Sequence, residues 1–178
     1  MRRVCVFCGS KCGNGSKYID AAKAFAECLV RRRLGLVYGG GDIGLMGVLA
    51  DTMLPLGGNV IGVIPRLLEA KELAHHGITE LLVVESMHAR KALMADKADA
   101  FVALPGGFGT ADELFEILTW RQLYIHDKPI GILNVAGFFD SFLAWLDRMV
   151  EEGFLSAKNR QLLTVESEAG QLLNRLGV

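Results

Sequence analysis

Short runs of β-branched and aliphatic residues alternate along this chain with longer stretches in which apolar residues recur every three or four positions. The short runs are Val4–Cys8, Gly35–Tyr38, Val60–Ile64, Glu80–Val84, Ala100–Leu104 and Pro129–Leu133, and several are apolar at both parities, as strands covered on two faces are. The longer stretches predict helices at about Ser16–Arg33, Gly44–Leu56, His88–Ala98, Thr110–Ile125 and Phe139–Glu152, with a short one near Glu168–Leu176. Strand and helix alternating from end to end predict an α/β fold, a Rossmann-like doubly wound parallel sheet with helices on both faces.

Length and charge narrow this picture. A chain of 178 residues that is 51% hydrophobic can build one sizeable core, so residues 1–178 are read as a single domain. With 19 basic and 20 acidic residues and a formal net charge of −1, there is no global basic field for nucleic acid, and any anion must meet a local site. Neither a secretory leader nor a membrane-length apolar run is present, which leads us to expect a cytoplasmic protein with no membrane partner. Cys5 and Cys8 have the C-x-x-C spacing, but their odd separation within a strand sends the two side chains to opposite faces, and no second ligand pair follows. No metal site is expected from them.

Glycine clusters fall directly after three of the strands: Gly9-Ser10, Gly39-Gly40-Gly41 and Pro105-Gly106-Gly107. Open α/β sheets bind ligands at the carboxyl ends of their strands, so these three loops are the first candidates for a site. Gly39 to Gly44 fits G-x-G-x-x-G, but it follows the second strand, and Asn59–Ile64 lacks the acidic residue that a dinucleotide fold places there. A tight turn that lets a ligand approach closely is the preferred reading. The loop Pro105-Gly106-Gly107-Phe108-Gly109-Thr110 is more informative, since bare backbone N–H groups at a helix start can hold a phosphate without a basic side chain. No Lys-Ser or Lys-Thr follows Gly109, which disfavours a triphosphate-hydrolysing loop. Thr110-x-x-Glu113 also has the form of a capping box, so Glu113 has two competing roles, helix cap or chemistry.

Ser86-Met87-His88-Ala89-Arg90-Lys91 opens a helix at the same sheet edge, and two cations there oppose the helix dipole unless an anion lies near. His75-His76 lacks a surrounding carboxylate cluster and is read as loop histidines.

Taken together, these residues resemble the Lonely Guy (LOG) family, the cytokinin riboside 5′-monophosphate phosphoribohydrolases, whose bacterial members have been labelled possible lysine decarboxylases. The resemblance rests on Val6-Phe7-Cys8-Gly9-Ser10, Val37-Tyr38-Gly39-Gly40-Gly41, Gly44-Leu45-Met46-Gly47, Val60 to Pro65, Met87-His88, Arg90-Lys91, Pro105 to Thr110, Glu113 and Thr119-Trp120. It departs at Ala89, where many members carry Glu or Gln, and at Lys11-Cys12, where small residues are usual.

The resemblance implies cleavage of a nucleoside 5′-monophosphate to free base and ribose 5-phosphate in a homodimer, without a cofactor. Arg90 and Glu113 fall on its catalytic positions. Ser10, Gly40, Gly41, Glu72, Met87, Lys91, Gly106, Gly107, Phe108, Gly109, Thr110 and Thr119 join them as substrate-binding candidates. Cleaving a ribosyl C–N bond builds positive charge on the sugar, which a carboxylate such as Glu113 stabilises, while a permanently charged Arg90 orients the nucleotide. The other readings are a nucleotide sensor that binds without turnover and, behind it, a dehydrogenase.

Overall fold

A computed structural model of the chain describes residues 1–69 and 74–178. Seven strands are ordered in chain number as β1 (Arg3–Phe7), β2 (Gly35–Tyr38), β3 (Val60–Pro65), β4 (Glu80–Val84), β5 (Ala100–Ala103), β6 (Ile130–Leu133) and β7 (Leu163–Glu166). They form one sheet in the spatial order β4-β3-β2-β1-β5-β6-β7, and each neighbouring pair is parallel. The expected doubly wound α/β architecture is the one observed.

Helices α1 (Lys17–Arg31), α2 (Gly44–Met53) and α8 (Ala169–Leu176) cover one face, where Val4, Val6, Leu36, Tyr38 and Val102 meet Phe25, Leu29, Leu49 and Leu172. The other face is covered by α4 (Met87–Lys97), α5 (Phe108–Gln122) and α6 (Asp140–Glu151), where Cys5, Phe7, Val37 and Phe101 pack with Met94, Leu114 and Leu146. Short helices α3 (Arg66–Glu69) and α7 (Ala157–Arg160) and two 3-10 turns, Leu54–Leu56 and Val135–Gly137, complete the described elements. The central strands β1, β2, β3, β5 and β6 are buried almost throughout, which explains why their sequences are apolar at both parities. Cys5 lies in the core of one face and Cys8 in that of the other, as their odd separation requires, and all four cysteines are free thiols.

Chain order reverses between β1 and β5. The path runs outward from β1 to β4 and then returns to the far side of β1, so the crossovers diverge at the carboxyl ends of these two strands and leave a crevice. Gly9 and Pro105 stand at that point, joined by a hydrogen bond in which the Gly9 N–H donates to the Pro105 carbonyl at 3.0 Å. Among the described residues no helix is long and apolar enough to cross a membrane.

Candidate active site

The crevice contains a cavity of about 230 Å³. Its floor is Cys8, Gly9 and Ser10 after β1, with Gly39 after β2; its sides are Met46 from α2, Leu68 from α3, and Met87 and Arg90 from α4; a further wall is the start of α5, from Gly107 to Glu113. Three loops and four helices therefore meet at one sheet edge.

Helix α5 begins earlier than its sequence suggests. Gly107 is the N-cap, with φ −100° and ψ −149°, and its side-chain-free backbone makes no capping bond. The first intrahelical hydrogen bond runs from the Ala111 N–H to the Gly107 carbonyl, so the amides of Phe108, Gly109 and Thr110 fall outside the helical ladder. Those amides lie at the positive end of a 15-residue helix and along the cavity wall, a position where negative charge is favoured. Thr110 consequently lies inside the helix and is not its N-cap, the position that the sequence pattern of Thr110 and Glu113 suggested for it. Instead the Thr110 side chain is buried against Gly106, whose missing Cβ leaves room for its hydroxyl.

Arg90 is the other fixed charge. It is 6% exposed, unusual for an arginine, and donates from Nη2 to the Gly39 carbonyl at 3.2 Å. A Cβ at Gly39 would overlap that same nitrogen, so a glycine is required for the guanidinium to lie against the backbone. Arg90 Nε is buried with no hydrogen-bond partner among the described residues, a donor that a bound substrate or ordered water can satisfy.

The neighbouring Lys91 points elsewhere. Its ammonium lies 3.1 Å from both Asp112 Oδ2 and Glu116 Oε1, bracing α4 against α5. Burial works to lower the Lys91 pKa, but the hydrogen bonds and charges of the two carboxylates outweigh it and raise it above the ordinary lysine value. Glu113, one residue on from Asp112, contributes to the cavity wall. Burial, reinforced by the charge of Glu113 and opposed by that of Arg90, pushes the thiols of Cys5 and Cys8 well above their ordinary range. Cys8 is thus a protonated wall of the cavity and a poor nucleophile. No lysine is found among the described residues lining the cavity.

Of the residues expected at the site, Ser10, Met87, Arg90, Gly107, Phe108, Gly109, Thr110 and Glu113 are brought together around this space. Gly106 lines the adjoining cavity. Gly40 and Gly41 turn the chain behind Gly39: Gly40 has φ +79° and packs against Val63 and Ile64, and Gly41 pairs with Ala74 in an isolated bridge. Thr119 is exposed on the far part of α5, beside a different cavity. Glu72 lies outside the described residues. His75 Nε2 donates to Asp51 Oδ1 at 2.9 Å, its Nδ1 accepting from the Gly77 N–H, and no group of three or more metal-ligating side chains occurs among the described residues. Sequence reasoning placed Gly39 in a candidate glycine loop but did not foresee its contact with Arg90, nor that Asp112 would hold Lys91.

The chain is similar to known proteins in sequence and in fold. Residues 46–176 match the family described as possible lysine decarboxylase. Two cytokinin riboside 5′-monophosphate phosphoribohydrolases of Arabidopsis thaliana are 50% and 49% identical to this chain, each over 98% of it and 82% of their own length. Among solved structures, the molybdenum cofactor binding protein of Rippkaea orientalis superposes with a TM-score of 0.73 over 99% of this chain and 95% of its own, at 16% identity, a likeness of fold.

Proposed function

Since the chain belongs to the possible lysine decarboxylase family, the one that includes those phosphoribohydrolases, we propose that it hydrolyses the N-glycosidic bond of an adenosine 5′-monophosphate or its N6-modified form. The products are the free base and ribose 5-phosphate. One observation carries the reading: a helix N-terminus suited to a phosphate, a buried guanidinium and a glutamate share one cavity at the topological switch point.

In this reading the amides of Phe108 to Thr110 hold the 5′-phosphate, which converts binding energy remote from the reaction into placement of the anomeric carbon. Water adds to C1′ as the C1′–N9 bond breaks, the bonding electrons leave with the base, and the base takes up a proton. The Glu113 carboxylate lies beside the developing oxocarbenium charge and orients or deprotonates the water. Arg90 remains charged throughout and orients the nucleotide electrostatically. Amine-linked decarboxylation through a lysine Schiff base finds no support, because Lys91 is held by two carboxylates outside the cavity lining.

The reading includes a homodimer. It is supported by the exposure of consecutive apolar residues Leu123, Tyr124 and Ile125 beyond α5, and of Phe154, which is 88% exposed. Sedimentation of the purified protein tests this. The reaction is tested by incubating the protein with adenosine 5′-monophosphate and with isopentenyladenosine 5′-monophosphate and separating products by chromatography. Free base from at least one is expected; intact nucleotide bound without release from either overturns the enzyme reading in favour of a sensor.

A further inference from the structure

The cavity wall includes an oxidisable group to which the proposed reaction gives no role. Met87 opens α4 and lines the cavity. Ser86 caps this helix, its hydroxyl oxygen accepting from the Ala89 N–H at 3.1 Å, and so sets Met87 and Arg90 one turn apart on one helix face. Arg90 Nη1 accordingly lies 3.9 Å from Met87 Sδ. A thioether is a weak acceptor, so this contact leaves the donors of the guanidinium largely unspent, and Nε has no hydrogen-bond partner among the described residues.

Met87 is 42% exposed, whereas Met46, which also lines the cavity, is 6% exposed, and Met53 and Met94 are buried. Oxidation of a sulfur follows its exposure, so a peroxide reaches Met87 ahead of these three. The other two methionines, Met1 and Met149, are not part of the cavity lining.

We propose that Met87 is a redox-modification site, whose conversion to the sulfoxide lowers turnover and whose reduction restores it. The proposal rests on the phosphoribohydrolase reading and adds a means of regulating the same cavity. A sulfur lone pair attacks hydrogen peroxide or an alkyl hydroperoxide; the S–O bond forms as the O–O bond breaks, the sulfur loses two electrons, and the peroxide leaves as water or an alcohol. A dithiol-dependent reductase reverses the step, the oxygen leaving as water while the dithiol closes to a disulfide. The sulfoxide oxygen is a strong acceptor on the very side chain that touches Arg90 Nη1. It draws that donor away from the nucleotide, which acts on kcat. It also adds polar bulk, with the negative end of a dipole outermost, to a cavity of about 230 Å³ that an anionic substrate must enter, which acts on affinity.

In the test, purified protein is exposed to hydrogen peroxide, freed of it, and assayed for base release and for equilibrium binding of adenosine 5′-monophosphate and isopentenyladenosine 5′-monophosphate. Peptide mass spectrometry counts the sulfoxide at each methionine. Met87 is expected to oxidise ahead of Met46, and kcat/KM to fall by about tenfold or more as its sulfoxide accumulates, the scale of one hydrogen bond to a charged group. Dithiothreitol alone leaves the loss in place, whereas methionine sulfoxide reductase with dithiothreitol reverses it. Met87→Leu, measured against its own untreated rate, changes by less than about twofold on oxidation. If that variant proves unfolded by thermal melting, partial oxidation of wild type decides, because the loss must follow the sulfoxide fraction of Met87 and not that of Met1 or Met149.

The proposal is overturned if Met87→Leu loses as much as wild type, if Met87 resists oxidation in the folded protein, or if dithiothreitol alone restores activity, which traces the loss to a thiol such as half-buried Cys12. Base release and affinity that persist through full oxidation of Met87 leave hydrolysis standing and remove the switch. Wild type that releases base from neither nucleotide, yet whose binding weakens on oxidation and recovers with the reductase, leaves the switch standing and removes the hydrolytic reading. Binding of neither nucleotide removes both.

Discussion

Replacing Gly39 by Ala asks whether the position of Arg90, as distinct from its charge, matters to turnover. The added methyl would overlap Arg90 Nη2 and stand 3.1 Å from both Arg90 Cζ and Met46 Sδ. Gly39 does not have a left-handed φ, so alanine introduces no backbone strain and the perturbation is confined to this contact. Because Arg90 is 6% exposed and packed between α4 and β2, relief requires the guanidinium to retreat by on the order of 1 Å, breaking its 3.2 Å bond to the Gly39 carbonyl. A misplacement of that size costs about a hundredfold in rate, roughly 2.7 kcal/mol of transition-state stabilisation. The α5 amides are untouched, so the loss should appear in kcat with little change in nucleotide affinity. Initial rates of base release, nucleotide binding and a melting curve on the same preparation suffice. A folded Gly39→Ala enzyme within twofold of wild-type kcat refutes the argument, and one that loses affinity together with rate shows that the loop was disturbed more than the arginine.

Three further outcomes follow from the same geometry. Glu113→Gln should reduce kcat by about 10²- to 10⁴-fold while the nucleotide still binds, and a fully active variant would remove Glu113 from the mechanism. Gly106→Ala puts a methyl 2.8 Å from the Gly9 backbone nitrogen and into the Thr110 hydroxyl, so it should destabilise the fold by about 1–3 kcal/mol in urea titrations as well as weaken phosphate binding; an unchanged midpoint would mean that the loops part freely. Burial lowers the pKa of His126 below its ordinary 6.5, against the favourable pull of the Ile117 carbonyl on the charged ring. The folded state therefore binds that proton less readily than the unfolded chain, and the associated stability, present above 6.5, is lost as pH falls toward the folded value. Urea midpoints should drop more steeply across that window in wild type than in His126→Phe, and identical slopes would refute the assignment.

Periodicity alone made the α/β order and six of the seven strands legible, because buried parallel strands show as apolar runs. β7 escaped notice because Leu163-Thr164-Val165-Glu166 is a four-residue edge strand, half-exposed and half polar. α5 starts at Phe108 and not at Thr110: Gly107, Phe108 and Gly109 are poor helix formers and Thr110 has a cap's chemistry, but the glycine backbone at 107 lets the helix begin two residues sooner. Arg90 and Lys91 looked like a pair of cations aimed at one anion. Adjacent residues on a helix diverge by about 100°, so only Arg90 turns to the cavity and Lys91 turns to α5. Thr119, suggested by family resemblance, lies six residues beyond Glu113 on α5, about 9 Å along the axis.

The ion cluster of Lys91 with Asp112 and Glu116 has a consequence for how the site responds to disturbance. Lys91 is bonded to the residue next to Glu113, and Lys91 is itself next to Arg90. Arg90 and Glu113 are thus each one peptide unit from a pin driven into the helix that bears the other. Slippage of α4 against α5 would carry both out of alignment in a single movement, so heat, mutation or a ligand acting on either helix should switch the pair off together, with no half-assembled site in between.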